Sequence, residues 1–307
     1  MLSLLLFREI AQMFVALFLG YLLVRFGLLK SEDSKILSVI ALYIITPCVT
    51  INAYQIEITA DRLRGMLLAL AAAILTHAVY FLLTAVLRKP LRLRAVEQAS
   101  LIYSNAGNLT IPIVHSVLGA EWVLYVSMYG FVQRFLLWSH CRMLLSGENQ
   151  FSLKKVLVNV NIIAMGVGMS LFFLRIPLPG LLKNAMTSIG GMIAPLTMIV
   201  AGMLMGAVSF GSLFKIAGLW KIAFLRLLAY PLVAVLIMKY SGLATLVPAG
   251  ETILLVSLLS SVTPSASVVT QLAQVYSDEG QYAGLINVTT TLLCIFTIPV
   301  MIAIYQM

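Results

Sequence analysis

This chain carries too little charge for a soluble protein. Only 10% of its 307 residues are Asp, Glu, Lys or Arg, against 61% hydrophobic, and the mean hydropathy is +1.04. A soluble domain has roughly a quarter of its residues charged, so the composition excludes one. Acidic residues are scarcer than basic ones, 11 against 20. That excess does not point to nucleic acid, because the basic residues form short clusters between apolar runs. They read instead as topology signals and as contacts for the lipid bilayer. Cysteine is nearly absent. Cys48, Cys141 and Cys294 lie far apart without CxxC spacing or histidine partners, and read as small reduced apolar residues. Enzyme signatures are missing as well: there is no HExxH, P-loop, GxSxG or Cys/His cluster with metal spacing. No pair of mid-membrane aspartates suits intramembrane proteolysis, and no TVGYG filter marks a potassium channel. No catalytic residue, metal ligand or organic cofactor is therefore assigned. A cleavable signal peptide is not expected either, because Arg8 and Glu9 interrupt the first apolar stretch and no small-residue cleavage site follows.

Long apolar runs are abundant. A spanning helix needs roughly 20 apolar residues, and ten runs qualify: 4–26, 34–55, 63–87, 95–118, 120–144, 156–174, 182–207, 214–238, 247–274 and 281–305. The longest hydrophilic connection, 146–155, separates a first unit (1–145) from a second (156–307), with five runs in each. An odd number of spans per half inserts the halves in opposite orientations, which is the arithmetic of an inverted repeat. The halves also rhyme. Thr46-Pro47 in span 2 corresponds to Ala194-Pro195 in span 7, and interruptions fall in spans 4 and 9. The expected fold is an all-α polytopic membrane protein of ten transmembrane helices in two inverted five-helix repeats. Lys and Arg divide 12 to one side and 6 to the other, with Arg134 and Arg226 inside spans. The positive-inside rule then puts 146–155 in the cytoplasm and both termini outside a plasma or inner membrane.

The interruptions are the informative feature. Span 4 contains Ser104-Asn105-Ala106-Gly107-Asn108-Leu109-Thr110-Ile111-Pro112, and span 9 contains Ser260-Ser261-Val262-Thr263-Pro264-Ser265. Lipid cannot hydrogen-bond to freed backbone groups, so a spanning helix breaks only where the break is buried or lines a wet cavity. Paired interruptions at corresponding places are the best sequence pointer to a transporter site. In span 9, Thr263 suits an N-cap and Pro264 a first helical position, which predicts a helix start in mid-membrane. Its free N–H groups and positive dipole end would favour a carboxylate, with the hydroxyls of Ser260, Ser261, Ser265 and Ser267 as further donors. A simple proline kink is the alternative. In span 4, Gly107 permits an unusual backbone conformation, Asn108 is a candidate cap, and Asn105 and Asn108 either meet a polar ligand or stitch the break.

Arg134, preceded by Gln133, falls midway along span 5 with no carboxylate at its depth. It reads either as the partner of an anion or as a donor to carbonyl ends at a helix break. Arg226 lies five residues beyond Lys221 and is expected to snorkel to the cytoplasmic surface unless it is functional. His77 and His115 are alone on apolar segments, as satisfied structural histidines or as proton carriers, and His140 is placed at the cytoplasmic edge. Asn287, with Thr289, Thr290 and Thr291 in span 10, forms a patch that either faces the cavity or holds helices together.

These residues carry a family resemblance. Asn105-Ala106-Gly107-Asn108-Leu109 followed by Pro112 is similar to the Asn-x-Gly-Asn-Leu-Pro break of the auxin efflux carrier family, including its bacterial organic-anion permeases, although here Thr110 and Ile111 intervene before the proline. Thr263-Pro264-Ser265, the 289–299 stretch, Pro47, and Val132-Gln133 followed by Leu137-Trp138 are also similar, in order along the whole chain. The resemblance implies a scaffold of helices 1, 2, 6 and 7 that forms a homodimer. It implies a moving unit of helices 3–5 and 8–10, with helices 4 and 9 crossing at the substrate site. Its implied substrates are organic anions such as auxin, malate or malonate. Arg134 departs from the neutral amide more usual near that position. The function expected from residues and resemblance together is a permease for a small organic anion, coupled to Na+ or H+ if coupled at all. A channel, or a ligand sensor without transport, is the alternative.

Overall fold

The computed structural model describes residues 2–57, 59–147, 157–158, 160–207 and 216–307, with side chains from Phe14 onward except those of Ser38, Leu42, Asn108, Ala194, Thr197, Ala217, Gln274 and Val275. Most of the 146–155 connection lies outside the described residues. The described residues are helical apart from short connections. Among them, three helices are long and apolar enough to cross a membrane: Ala60–Leu87, Gly218–Tyr240 and Gly280–Gln306.

The helices, in order, are α1 (Leu2–Arg25), α2 (Ser34–Ile40), α3 (Thr46–Ala53), α4 (Ala60–Leu87), α5 (Ala95–Ile102), α6 (Ile111–Val117), α7 (Val123–Leu136), α8 (Arg142–Ser146), α9 (Val160–Phe173), α10 (Gly180–Gly190), α11 (Ile193–Gly206), α12 (Ala217–Phe224), α13 (Tyr230–Tyr240), α14 (Gly250–Val262), α15 (Ser267–Tyr276) and α16 (Gly280–Gln306). Several apolar runs of the sequence are thus not runs of unbroken helix, and proline accounts for most of the divisions. Pro47, Pro112 and Pro231 each stand at the start of a helix just after a wide π turn, spanning Ala41–Ile45, Ala106–Thr110 and Leu225–Ala229 respectively. A proline has no N–H for the carbonyl four residues back, and the wider turn absorbs that loss. The α10–α11 interruption at Gly191-Met192 likewise precedes Pro195.

Helix α4 shows what solvent this fold expects. Its exposed side chains include Leu67, Ile74, Leu82 and Val86, whereas Gly65, Ala69, Ala72, Ala73, Thr76 and His77 are buried. Large aliphatics outside and small or polar groups inside invert the pattern of a soluble helix, and suit association in lipid. Helix α1 lies along α11 and also touches α6 and α16, while α3 packs on α9 and α10. Helix α4 packs on α7 and α14, and α16 on α12, α13 and α15.

The α1–α11 contact is backbone against backbone. A Cβ added at Gly202 would collide with the Leu17 carbonyl oxygen, and one at Gly20 with that of Ile199. Gly202→Ala is therefore expected to destabilise the protein by about 1–3 kcal/mol. Gly166→Ala on α9, where a Cβ meets nothing within 4 Å, is expected to be neutral or slightly stabilising. Melting curves of the two purified variants check both.

One buried carboxylate ties α5, α12 and α16 together. Glu97, 3% exposed in the first turn of α5, accepts from the Arg94 backbone N–H at 2.9 Å and the Tyr282 hydroxyl at 3.0 Å, with Lys221 Nζ at 3.8 Å. Arg94 in turn pairs with Glu279 at 2.7 Å and lies over the Tyr282 ring.

Candidate functional site

The two interruptions meet. Tyr103 leaves α5 in extended conformation, and Thr263 leaves α14 the same way. Ser104 and Ser265 then pair as one antiparallel rung. The Asn105 N–H donates to the Pro264 carbonyl at 2.8 Å, and the Ala266 N–H donates to the Tyr103 carbonyl at 3.0 Å. Each break thereby satisfies part of the other, which is how irregular backbone survives at membrane depth.

The remaining groups of the rung are met by side chains from α7 and α16. Gln133, on α7, is 5% exposed. Its Oε1 accepts from the Ser104 N–H at 3.2 Å and hydroxyl at 2.7 Å, and its Nε2 donates to the Ser104 carbonyl at 2.8 Å. On α16, Asn287 Nδ2 donates to the Ser265 carbonyl at 2.7 Å, and the Thr290 hydroxyl accepts from the Ser265 N–H at 3.2 Å. Each serine is held by the last long helix of its own half of the chain.

The helix ends left behind are met by Arg226. This residue is fully buried, in the π turn of Leu225–Ala229. Nη1 donates to the Leu101 carbonyl at 2.9 Å, and Nη2 donates to those of Ser261 and Thr263 at 2.8 Å each. These oxygens are among the unsatisfied carbonyls and negative dipole ends of α5 and α14. Holding an arginine at mid-membrane costs about 2.5–3.5 kcal/mol, while three bonds from a charged donor contribute about 1.5–3 kcal/mol each. The contacts outweigh the burial. The expectation that Arg226 snorkels to the surface is thus overturned: its fork reaches inward because two sets of orphan carbonyls converge there. The donor role at carbonyl ends, weighed above for Arg134, belongs to Arg226.

Most of the expected site residues come together here, and four details are corrected. Thr263 does not N-cap the second half of span 9. It closes α14, and α15 begins at Ser267 with Ala266 as its cap. Pro264 disfavours helical backbone at Thr263, and the rung keeps Ser265 extended. The hydroxyls of Ser260 and Ser261 are spent on the Val256 and Leu258 carbonyls of their own helix, at 2.9 and 2.8 Å. In span 4 the turn opens at Ala106 with Asn105 as its cap, so Asn108 lies within the turn rather than before it, and its side chain is outside the described residues. Gly107 has no left-handed backbone conformation; a Cβ there would meet nothing within 4 Å, so the turn borders open space.

Asn105 is half-buried beside that turn, and its Oδ1 accepts a long 3.5 Å bond from the Ser267 hydroxyl. Arg134 is not brought into the crossover by any hydrogen bond among the described residues. Its guanidinium folds back beside Gly130 and within electrostatic reach of Tyr54, and its buried Nη1 has no hydrogen-bond partner. His77 Nδ1 pairs with the Ala73 carbonyl at 2.8 Å and its ring lies 5.0 Å from that of Tyr129, while its buried Nε2 has no hydrogen-bond partner. His115 lines a cavity of about 190 Å³ along α6, shared with Asn52, Pro112, Val123 and Thr187.

Apolar outward faces, several long helices and two bridged helix breaks define a multi-pass helical membrane protein of the transporter class. A family model for membrane transport proteins matches residues 5–154 and 148–302, nearly the whole chain. The chain therefore belongs to that family, the auxin efflux carriers, which are transporters rather than enzymes. No curated protein matches it.

Proposed function

We propose that this protein is a secondary active carrier that moves a small organic anion, a mono- or dicarboxylate, across the plasma or inner membrane by alternating access. The observation that carries this reading is the Ser104–Ser265 rung, from which the second halves of both broken segments start side by side. The first N–H groups of a helix lack intrahelical partners and favour an anion. The negative ends are already occupied by Arg226, so the positive ends are the ones open to a ligand. Glu97, buried at the far end of α5, is offset by Arg94 and Lys221 and does not compete with an anion there.

In this reading Asn105, Gly107 and Asn108 line the anion, and the Thr263-Pro264-Ser265 segment supplies the facing wall. Gln133 and Asn287 fix the wall's geometry, and Arg134 adds positive potential from the flank. The chain is two inverted five-helix repeats, 1–145 and 156–307, with 146–155 cytoplasmic and both termini outside. Spans 1, 2, 6 and 7 are the scaffold, through which a homodimer forms, and spans 3–5 and 8–10 move. The α1–α11 and α3–α9–α10 contacts support the first group, and the α4–α7–α14 and α12–α16 contacts support the second.

The test is thermal stability of purified protein against mono- and dicarboxylates, with their amides as controls. A ligand at one hundred times its dissociation constant stabilises the folded state by about 2.7 kcal/mol. The expected result is a rise with at least one carboxylate and none with its amide. A rise only with neutral or cationic compounds contradicts the reading.

A further inference from the structure

Carriers with broken helices commonly build their cation sites from unwound backbone carbonyls and the C-terminal ends of half-helices. This crossover has those groups in place. The carbonyls of Leu101, Ser261 and Thr263 converge from the ends of α5 and α14, and all three accept from one side chain, Arg226, at 2.8–2.9 Å. The Tyr80 ring closes another side, with its centroid 5.6 Å from the Arg226 Cζ. Among the described residues no carboxylate pairs with Arg226. The guanidinium is therefore a lone monocation whose charge is balanced by carbonyl dipoles, as that of a bound metal cation would be.

We propose that Arg226 is a tethered substitute for an exchangeable cation. It occupies the carbonyl cluster permanently, so the crossover takes up no sodium or other monovalent ion there. Its charge also stays at the crossover in every state of the cycle. The cation site stands on geometry alone. Only its consequence, that anion movement does not depend on sodium through this site, rests on the carrier reading above.

Removing the side chain would leave a cavity lined by carbonyl oxygens and an aromatic face, fit for guanidinium or a small alkali cation. The experiment measures melting temperature of purified protein in NaCl, KCl or choline chloride at matched ionic strength, with and without millimolar methylguanidinium. The wild type is expected to melt at the same temperature in all of them. Arg226→Ala is expected to melt lower and to recover by at least about 2–4 °C with methylguanidinium or sodium, but not with choline. Should Arg226→Ala fail to fold, Arg226→Ser carries the same expectation, because its short side chain leaves the carbonyl cluster open. A sodium- or potassium-specific rise in the wild type overturns the proposal, and so does a folded variant that no cation rescues. The readout is cation-dependent stability without substrate, so a failure of the carboxylate panel leaves it standing, and the reverse also holds.

Discussion

Arg226→Met should lower stability by about 1–6 kcal/mol. Three bonds from a charged donor, at about 1.5–3 kcal/mol each, are lost. Against this, about 2.5–3.5 kcal/mol of burial cost is relieved. The difference lies toward its upper end, because the Leu101, Ser261 and Thr263 carbonyls are released where no other donor is in place. The comparison that isolates the cause is Arg134→Met. Arg134 is also inside a span, yet its Nη1 makes no hydrogen bond, so its replacement relieves burial cost without stripping a capped carbonyl and should leave stability unchanged or raise it, by up to about 3 kcal/mol. Denaturant unfolding of both variants in detergent measures the contrast. Equal losses would mean that charge at depth, rather than carbonyl capping, governs the fold.

The second large effect belongs to the side chains that clamp the rung. Gln133→Leu strips three bonds from Ser104 and leaves a buried N–H and C=O without partners. Each such group costs about 1–3 kcal/mol, so a loss of about 2–6 kcal/mol is expected. Asn287→Leu frees only the Ser265 carbonyl and should cost about 1–3 kcal/mol. The two residues do not touch, yet they hold opposite sides of one backbone rung. Their double variant should therefore be non-additive by about 0.5–3 kcal/mol. Strict additivity would show that the two breaks do not support each other.

Much of this arrangement was legible in the sequence, for physical reasons. Polar and proline residues cannot interrupt an apolar run in lipid without partners. The paired positions of Asn105–Pro112 and Thr263–Ser265 therefore located the crossover before any contact was known. Gln133 and Asn287 were legible as polar residues at depth, but not their task, because which backbone atoms they serve depends on how α7 and α16 sit beside the rung. Arg226 was misread because Lys221, close by in sequence, suggested a nearby surface. A better signal was present: two interrupted helices leave two sets of orphan carbonyls, and a protein without mid-span lysines has few donors able to serve both. Pro231, five residues on, marks the distorted turn that aims the side chain inward. The helix start in span 9 was misplaced by three residues because Thr-Pro satisfies local capping rules, whereas the rung with Ser104 is a non-local contact that keeps Ser265 extended.

The carrier reading requires the crossover to hold an organic anion while it is carried. The most direct measurement is uptake of a labelled carboxylate, chosen as the one that raises stability most, into liposomes containing wild type, Asn105→Ala or Asn108→Ala protein. Saturable uptake by the wild type is predicted, with a loss of about tenfold or more in each variant, the equivalent of one lost hydrogen bond to a charged group, at unchanged melting temperature. Non-saturating flux, or wild-type uptake in both variants, would contradict the claim.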